Sequence, residues 1–135
     1  LISKYITRIE KWLQLTGVTL HHFSRDLPCS GMYRSETREI FLNDPIARNA
    51  LLTLAHEAGH DVGYMIFGAK KHSYQRERQA FVYGWKILTF VGANSIISRK
   101  EWIEADRERR ASEDVQTDDF RRKKCDEKSL RISAK

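Results

Sequence analysis

The sequence predicts an α+β fold, mainly helical with about three short strands, and three observations lead there. Helical spacing of apolar residues or helix-capping signals mark four segments, at 3–16, 45–66, 73–91 and 99–110. Alternating, β-branched and aromatic residues gather between 18 and 42. The chain has 135 residues, enough for one modest core and too few for two.

Each element has its own reason. Over 3–16, Tyr5, Ile6, Ile9, Trp12 and Leu13 recur at helical spacing while Lys4, Arg8 and Lys11 take other faces, and Gly17 stops the helix. Val18 to Phe23 alternates as a strand does. Pro28, Ser30 and Gly31 supply turn chemistry over 26–31. Met32 to Arg34 and Arg38 to Leu42 read as two more strands joined through Ser35, Glu36 and Thr37. Asn43-Asp44-Pro45 then opens a long helix, with Asp44 as cap and Pro45 at the first helical position. That helix, to about 66, is apolar on more than one face through Ile46, Leu51, Leu52, Leu54, Ala55, Ala58 and Val62, the mark of a buried helix. A polar connection from Gly68 to Ser73 leads to a helix reaching about 91, with Ala80, Phe81, Val82, Trp85, Ile87, Leu88 and Phe90 as its apolar members. Gly92 to Asn94 breaks it, and Ser98 with Glu101 forms a capping-box pattern opening the helix over 99–110.

From 111 onward the character changes. Val115, Phe120 and Leu130 are scattered among alternating charges without a sustained period, so residues 1–110 read as the folded domain and 111–135 as a charged, flexible tail. The apolar fraction of 41% and charged fraction of 31% suit that division. Cys29 and Cys125 fit no metal or redox spacing and read as reduced thiols. Residues 1–20 have no uninterrupted apolar stretch, and the run from Ile87 to Ile97 is too short to span a bilayer, so neither a signal peptide nor a membrane partner is expected and the cytoplasm is the expected location. The net charge of +6 permits a nucleic-acid or acidic partner without requiring one.

Residues 56–60 carry the chemistry. His56-Glu57-Ala58-Gly59-His60 has the spacing H-E-x-x-H, and on a helix the two histidines, four apart, share a face and converge on one ion. A zinc ion held there brings a water's pKa towards neutrality, and Glu57, one position on, takes its proton as general base. In a helix this apolar, two histidines and a glutamate cost free energy unless something pairs them. A catalytic zinc needs a third protein ligand. The metzincin position, six residues after His60, holds Ile66, which excludes that class. His72 lies in the polar connection beside Lys70 and Lys71. Glu77 has the better surroundings: Ala80 and Gly84 follow it on one face, Gly59 and Gly63 lie near the histidines, and small residues on both faces let two helices approach closely. His72 stays open as the alternative.

These residues resemble the ImmA/IrrE-type metallopeptidases. The resembling stretch comprises Gly31-Met32-Tyr33, the strand Arg38-Glu39-Ile40-Phe41-Leu42 ending in Asn43, the helix Leu51-Leu52-Thr53-Leu54-Ala55-His56-Glu57-Ala58-Gly59-His60, and Glu77-Arg78-Gln79-Ala80-Phe81 on the next helix. The resemblance implies one zinc per chain at His56, His60 and Glu77, Glu57 as base, and a zincin-like minidomain of helices around a short antiparallel sheet. It also implies a cytosolic protease with a narrow target, such as a transcriptional repressor or a stress regulator. Ala58, where the family usually has Leu, and Val82-Tyr83-Gly84 depart from the pattern without touching a proposed ligand.

Tyr74, Tyr33, Tyr64 and His72 are candidate donors to the oxyanion or contacts to substrate. Arg107 to Arg110 and Arg121 to Lys124 are candidate phosphate contacts, although interleaved acids and absent stacking aromatics favour a solvated face. The leading expectation is thus a zinc-dependent endopeptidase cleaving a specific intracellular protein. Two others stand beside it: a non-proteolytic regulatory protein binding a repressor, a toxin partner or DNA on the same fold, and a DNA-associated protease of the SprT-like kind using His72.

Overall fold

The computed structural model describes residues 1–22, 30–43 and 47–114. Helix α1 (Ile2–Leu15) leads to strands β1 (Thr19–His22), β2 (Gly31–Arg34) and β3 (Glu39–Leu42), then to helices α2 (Ala47–Phe67), α3 (Ser73–Phe90) and α4 (Arg99–Asp114), with a short 3-10 turn at Ala93–Ser95. The fold is α+β and mostly helical, as the sequence predicts. The Asp44–Pro45 helix start, the turn at Pro28 and both cysteines fall outside the described residues, as does the chain from 115 on; α4 itself runs to Asp114.

Local signals explain the boundaries. Gly17, at a φ of +94°, lets the chain leave α1 while the Val18 amide donates to the Leu13 carbonyl at 2.9 Å. The Ser98 hydroxyl accepts the Glu101 amide at 3.1 Å, so the expected cap opens α4.

The sheet corrects one expectation. It is mixed, not antiparallel: the order is β1-β3-β2, with β2 antiparallel to β3 and β1 parallel to it. The turn over 35–38 is tight enough to make β2 and β3 a hairpin. Strand β1 lies on the far side of β3 from β2. Ile40, Phe41 and Leu42 of β3 are therefore buried, as befits a central strand.

Between sheet and helices lies one core, with Ile9 and Leu13 from α1, Leu51, Leu54 and Ala58 from α2, and Leu88 from α3. Helices α2 and α3 touch backbone to backbone. A Cβ built on Gly59 would sit 2.6 Å from the Ala80 carbonyl oxygen and 2.8 Å from the Gly84 nitrogen. One on Gly84 would meet the Ala55 carbonyl oxygen at 2.9 Å and the Trp102 ring at 2.7 Å. Trp102 fills the slot beside Gly84 and donates from its indole nitrogen to the Phe81 carbonyl at 3.0 Å. Arg48 of α2 reaches the Glu101 carboxylate through both Nε (2.6 Å) and Nη2 (2.5 Å), a fork that ties α4 to the start of α2.

Because backbone cannot yield as a flexible side chain does, Gly59→Ala is expected to destabilise the fold by about 1–3 kcal/mol. A urea titration followed by Trp fluorescence measures it, and a wild-type midpoint would show that the helices can separate at little cost.

Candidate metal centre

Helix α2 places His56, Glu57 and His60 on its inner side, all buried, and one ligand atom from each lies within 4.8 Å of the others. Their positions follow from helix geometry: residues four apart stack on one face, and Leu54, Ala55 and Ala58 draw that region into the core. The imidazoles of His56 and His60 meet edge to face with centroids 4.7 Å apart.

The close approach at Gly59 carries Glu77 of α3 to the same point. Its Oε2 is 2.9 Å from His56 Nε2 and 3.4 Å from His60 Nε2. Burial opposes the charge on Glu77, but hydrogen bonds with His56 and His60 outweigh it and hold the carboxyl well below the usual carboxylate range. Glu57 stands further off, with Oε1 3.9 Å from His60 Nε2. A tetrahedral ion with bonds of about 2.1 Å has ligand atoms roughly 3.4 Å apart; the His60–Glu77 separation of 3.4 Å matches that spacing and the His56–Glu77 separation of 2.9 Å is shorter. Among the described residues, His56, Glu57 and His60 form a buried group that could hold a metal ion, with Glu77 adjoining it.

A fourth element, α4, closes over the site. Arg109 Nη1 lies 2.9 Å from His56 Nδ1. A guanidinium only donates, so Nδ1 accepts and the ring proton sits on Nε2, 2.9 Å from Glu77 Oε2. Burial and the adjacent Arg109 charge push the His56 pKa down to about 3, keeping the ring neutral. An Nε2 that binds a metal needs its proton on Nδ1, where Arg109 now donates. A metal on His56 Nε2 would therefore require the arginine to move. Asp106, one turn earlier, keeps Oδ1 buried and 4.0 Å from Arg109 Nη1, within reach of a small displacement. Burial raises the Asp106 pKa.

A second network fixes the other flank. Asp61, next to His60, accepts from the Tyr33 hydroxyl at 2.5 Å and from Arg38 through Nε at 3.0 Å and Nη2 at 2.9 Å. Arg38 adopts a φ of +52°, rare for a side-chain-bearing residue, and its bidentate pair with Asp61 offsets that cost. Burial and the bond to Asp61 raise the Tyr33 pKa, and its ring lies parallel to His60 at 6.4 Å. Strand β2 starts directly over Glu57: a Cβ on Gly31 would come within 3.4 Å of Glu57 Cγ and would collide with Thr53 Cγ2.

The remaining candidates sit further out. His72 is exposed at the start of α3, its ring 6.0 Å from that of Tyr74. Tyr74 is exposed to 65%, and Ile66, at the metzincin position, to 57%. Tyr64 lines a cavity with His60 and Tyr33. Sequence reasoning missed Arg109, Asp61 and Arg38 as parts of the site. For Arg109 a signal existed: it falls seven residues after Trp102, with Asp106 four after, on the inward face of α4.

Removing the competing donor with Arg109→Met is expected to tighten zinc binding about tenfold, the size of one hydrogen bond to a charged group. Competition against a chromophoric chelator reads this out, and weaker binding in the variant would mean that Arg109 supports the metal-bound form. No protein-family model, curated protein or solved structure matches this chain, so the assignment of the site rests on its geometry.

Proposed function

We propose that the chain is a zinc-dependent endopeptidase that cleaves a specific intracellular protein, such as a transcriptional repressor or regulator. The observation that carries this reading is the convergence of His56 Nε2, His60 Nε2 and Glu77 Oε2 on one buried point with the Glu57 carboxylate alongside. Two imidazoles and one carboxylate are the donor set of hydrolytic zinc sites, and they leave a coordination position for the reaction. The resemblance to ImmA/IrrE-type metallopeptidases points the same way.

His56, His60 and Glu77 would hold the ion. Zinc supplies Lewis-acid chemistry there, polarising the scissile carbonyl and acidifying a water. Glu57 takes the proton of the attacking water and delivers it to the leaving amine nitrogen as the C–N bond breaks. Tyr33 and Asp61 keep His60 in orientation through the packed ring and the hydrogen-bonded carboxylate. The Tyr33 hydroxyl is spent on Asp61, which leaves Tyr64 as the better-placed tyrosine for contacting substrate.

A second reading has one observation in its favour. The Arg109–His56 hydrogen bond stabilises a metal-free site, as a regulatory protein acting by binding alone would have. The two readings separate on metal content and on the base.

The purified chain is expected to carry one zinc by elemental analysis. Glu77→Ala lowers zinc affinity by at least about tenfold, whereas His72→Ala leaves it at the wild-type level. Glu57→Gln keeps the metal and cuts hydrolysis of a proteome-derived peptide library by about 10²–10⁴. Wild-type turnover in Glu57→Gln, or zinc loss in His72→Ala with retention in Glu77→Ala, overturns the proposed site.

A further inference from the structure

We propose that the cavity beside His60 is a subsite that takes an acidic side chain of the polypeptide substrate. This deepens the peptidase reading and rests on it for the word substrate, but the cavity's preference for a carboxylate stands on its own observations.

The cavity has a volume of about 340 Å³ and runs from His60 and Tyr33 past Tyr64 to the start of α3. Its basic lining consists of Arg34, Lys70 and Arg76, against the single acid Glu36. Arg34 is partly matched by Glu39 at 3.6 Å. Arg76 pairs with no carboxylate among the described residues. Its Nη1 donates to the carbonyls of Lys70 at 2.8 Å and Lys71 at 3.3 Å, which fixes the guanidinium while its Nε and Nη2 make no further hydrogen bond there. Lys70 packs its ammonium over the Phe67 ring at 5.6 Å and likewise has no acidic partner among the described residues.

The placement of these charges costs stability unless an anion compensates. The N-terminus of an 18-residue helix carries a partial positive charge and favours acids. The first turn of α3 contains no acid, and Arg76 lies at its end, with Lys70 and Lys71 just ahead of it. Natural sequences break such local rules at functional sites and compensate elsewhere. A preorganised guanidinium offering paired N–H groups suits a carboxylate. Three basic side chains around one half-open cavity suit a single acidic side chain better than a polyphosphate strand, which needs an extended basic track.

The test uses Glu57→Gln full-length protein, so that binding is read without cleavage. Two hexapeptides, one with a central Glu-Asp pair and one with Lys-Lys there, are titrated by isothermal calorimetry, and single-stranded (dT)10 is titrated in parallel. The acidic peptide is expected to bind at least about tenfold tighter than the basic one, and Arg76→Gln with Lys70→Gln to remove that difference. Arg78→Gln, the loss of one charge at an exposed position outside the cavity, leaves it intact. A library cleaved by the wild type is expected to show Asp or Glu at one fixed position from the scissile bond. Equal binding of the two peptides, an equal loss in Arg78→Gln, or tighter binding of (dT)10 through the same residues overturns the subsite. Peptide binding as expected together with wild-type cleavage by Glu57→Gln overturns the peptidase mechanism and leaves the subsite standing.

Discussion

The backbone contact between α2 and α3 at Gly59 is the constraint on which the site depends. No side chain separates the helices there, so Glu77 reaches the histidines without extending across a gap. The same contact, continued at Gly84, leaves a slot that only a flat ring fills, and Trp102 fills it. Trp102 in turn fixes the rotation of α4 about its axis. Arg109, on the same face of α4, is thereby brought to His56. One steric fact thus organises three helices around one point, and the polar chemistry follows from it.

The charges are arranged to make that burial tolerable. Asp61 is matched by Arg38 and Tyr33, Glu77 by the two histidines, and Glu101 by Arg48. Breaking the set at Asp61 or at Glu77 leaves a buried charge without compensation, which costs more than the set contributes when whole; the Arg48–Glu101 pair is partly exposed and its loss costs less. The flanks of the metal centre are therefore stiff: the hairpin turn at Arg38 is tied to the residue after His60, and α4 is tied to the start of α2 and to His56 itself.

Much of this was legible in the sequence. The helical face shared by His56 and His60 follows from spacing alone, and the small residues Gly59, Ala80 and Gly84 announced a close helix pair before any coordinates did. The Ser98 cap and the hairpin of β2 and β3 were local signals, and local signals read well. The parallel pairing of β1 with β3 was not legible, because strand neighbours are chosen by the path of the connection and by which strand the core needs in the middle, neither of which is written in four residues of alternation. The Arg109–His56 contact spans 53 positions, and within a run of charges such as Arg107 to Arg110 an inward arginine looks like its solvated neighbours. Arg38 and Asp61 were hidden for the same reason: an ion pair is a property of two distant residues.

The rigidity of the helix contact also bears on which ions the site accepts. Donor separations of 2.9 and 3.4 Å are set by main-chain walls, and close-packed interiors compress or dilate little. A fixed donor triangle acts as a gauge of ionic radius. Calcium, which needs six or more oxygens, would meet nitrogen at two of the three proposed donors. Magnesium has the smaller radius but gives up its water shell reluctantly and also prefers oxygen. The glycine at position 59 therefore does more than let two helices touch: by fixing the spacing of atoms it never contacts, it would bias the proposed site towards small, nitrogen-seeking divalent metals.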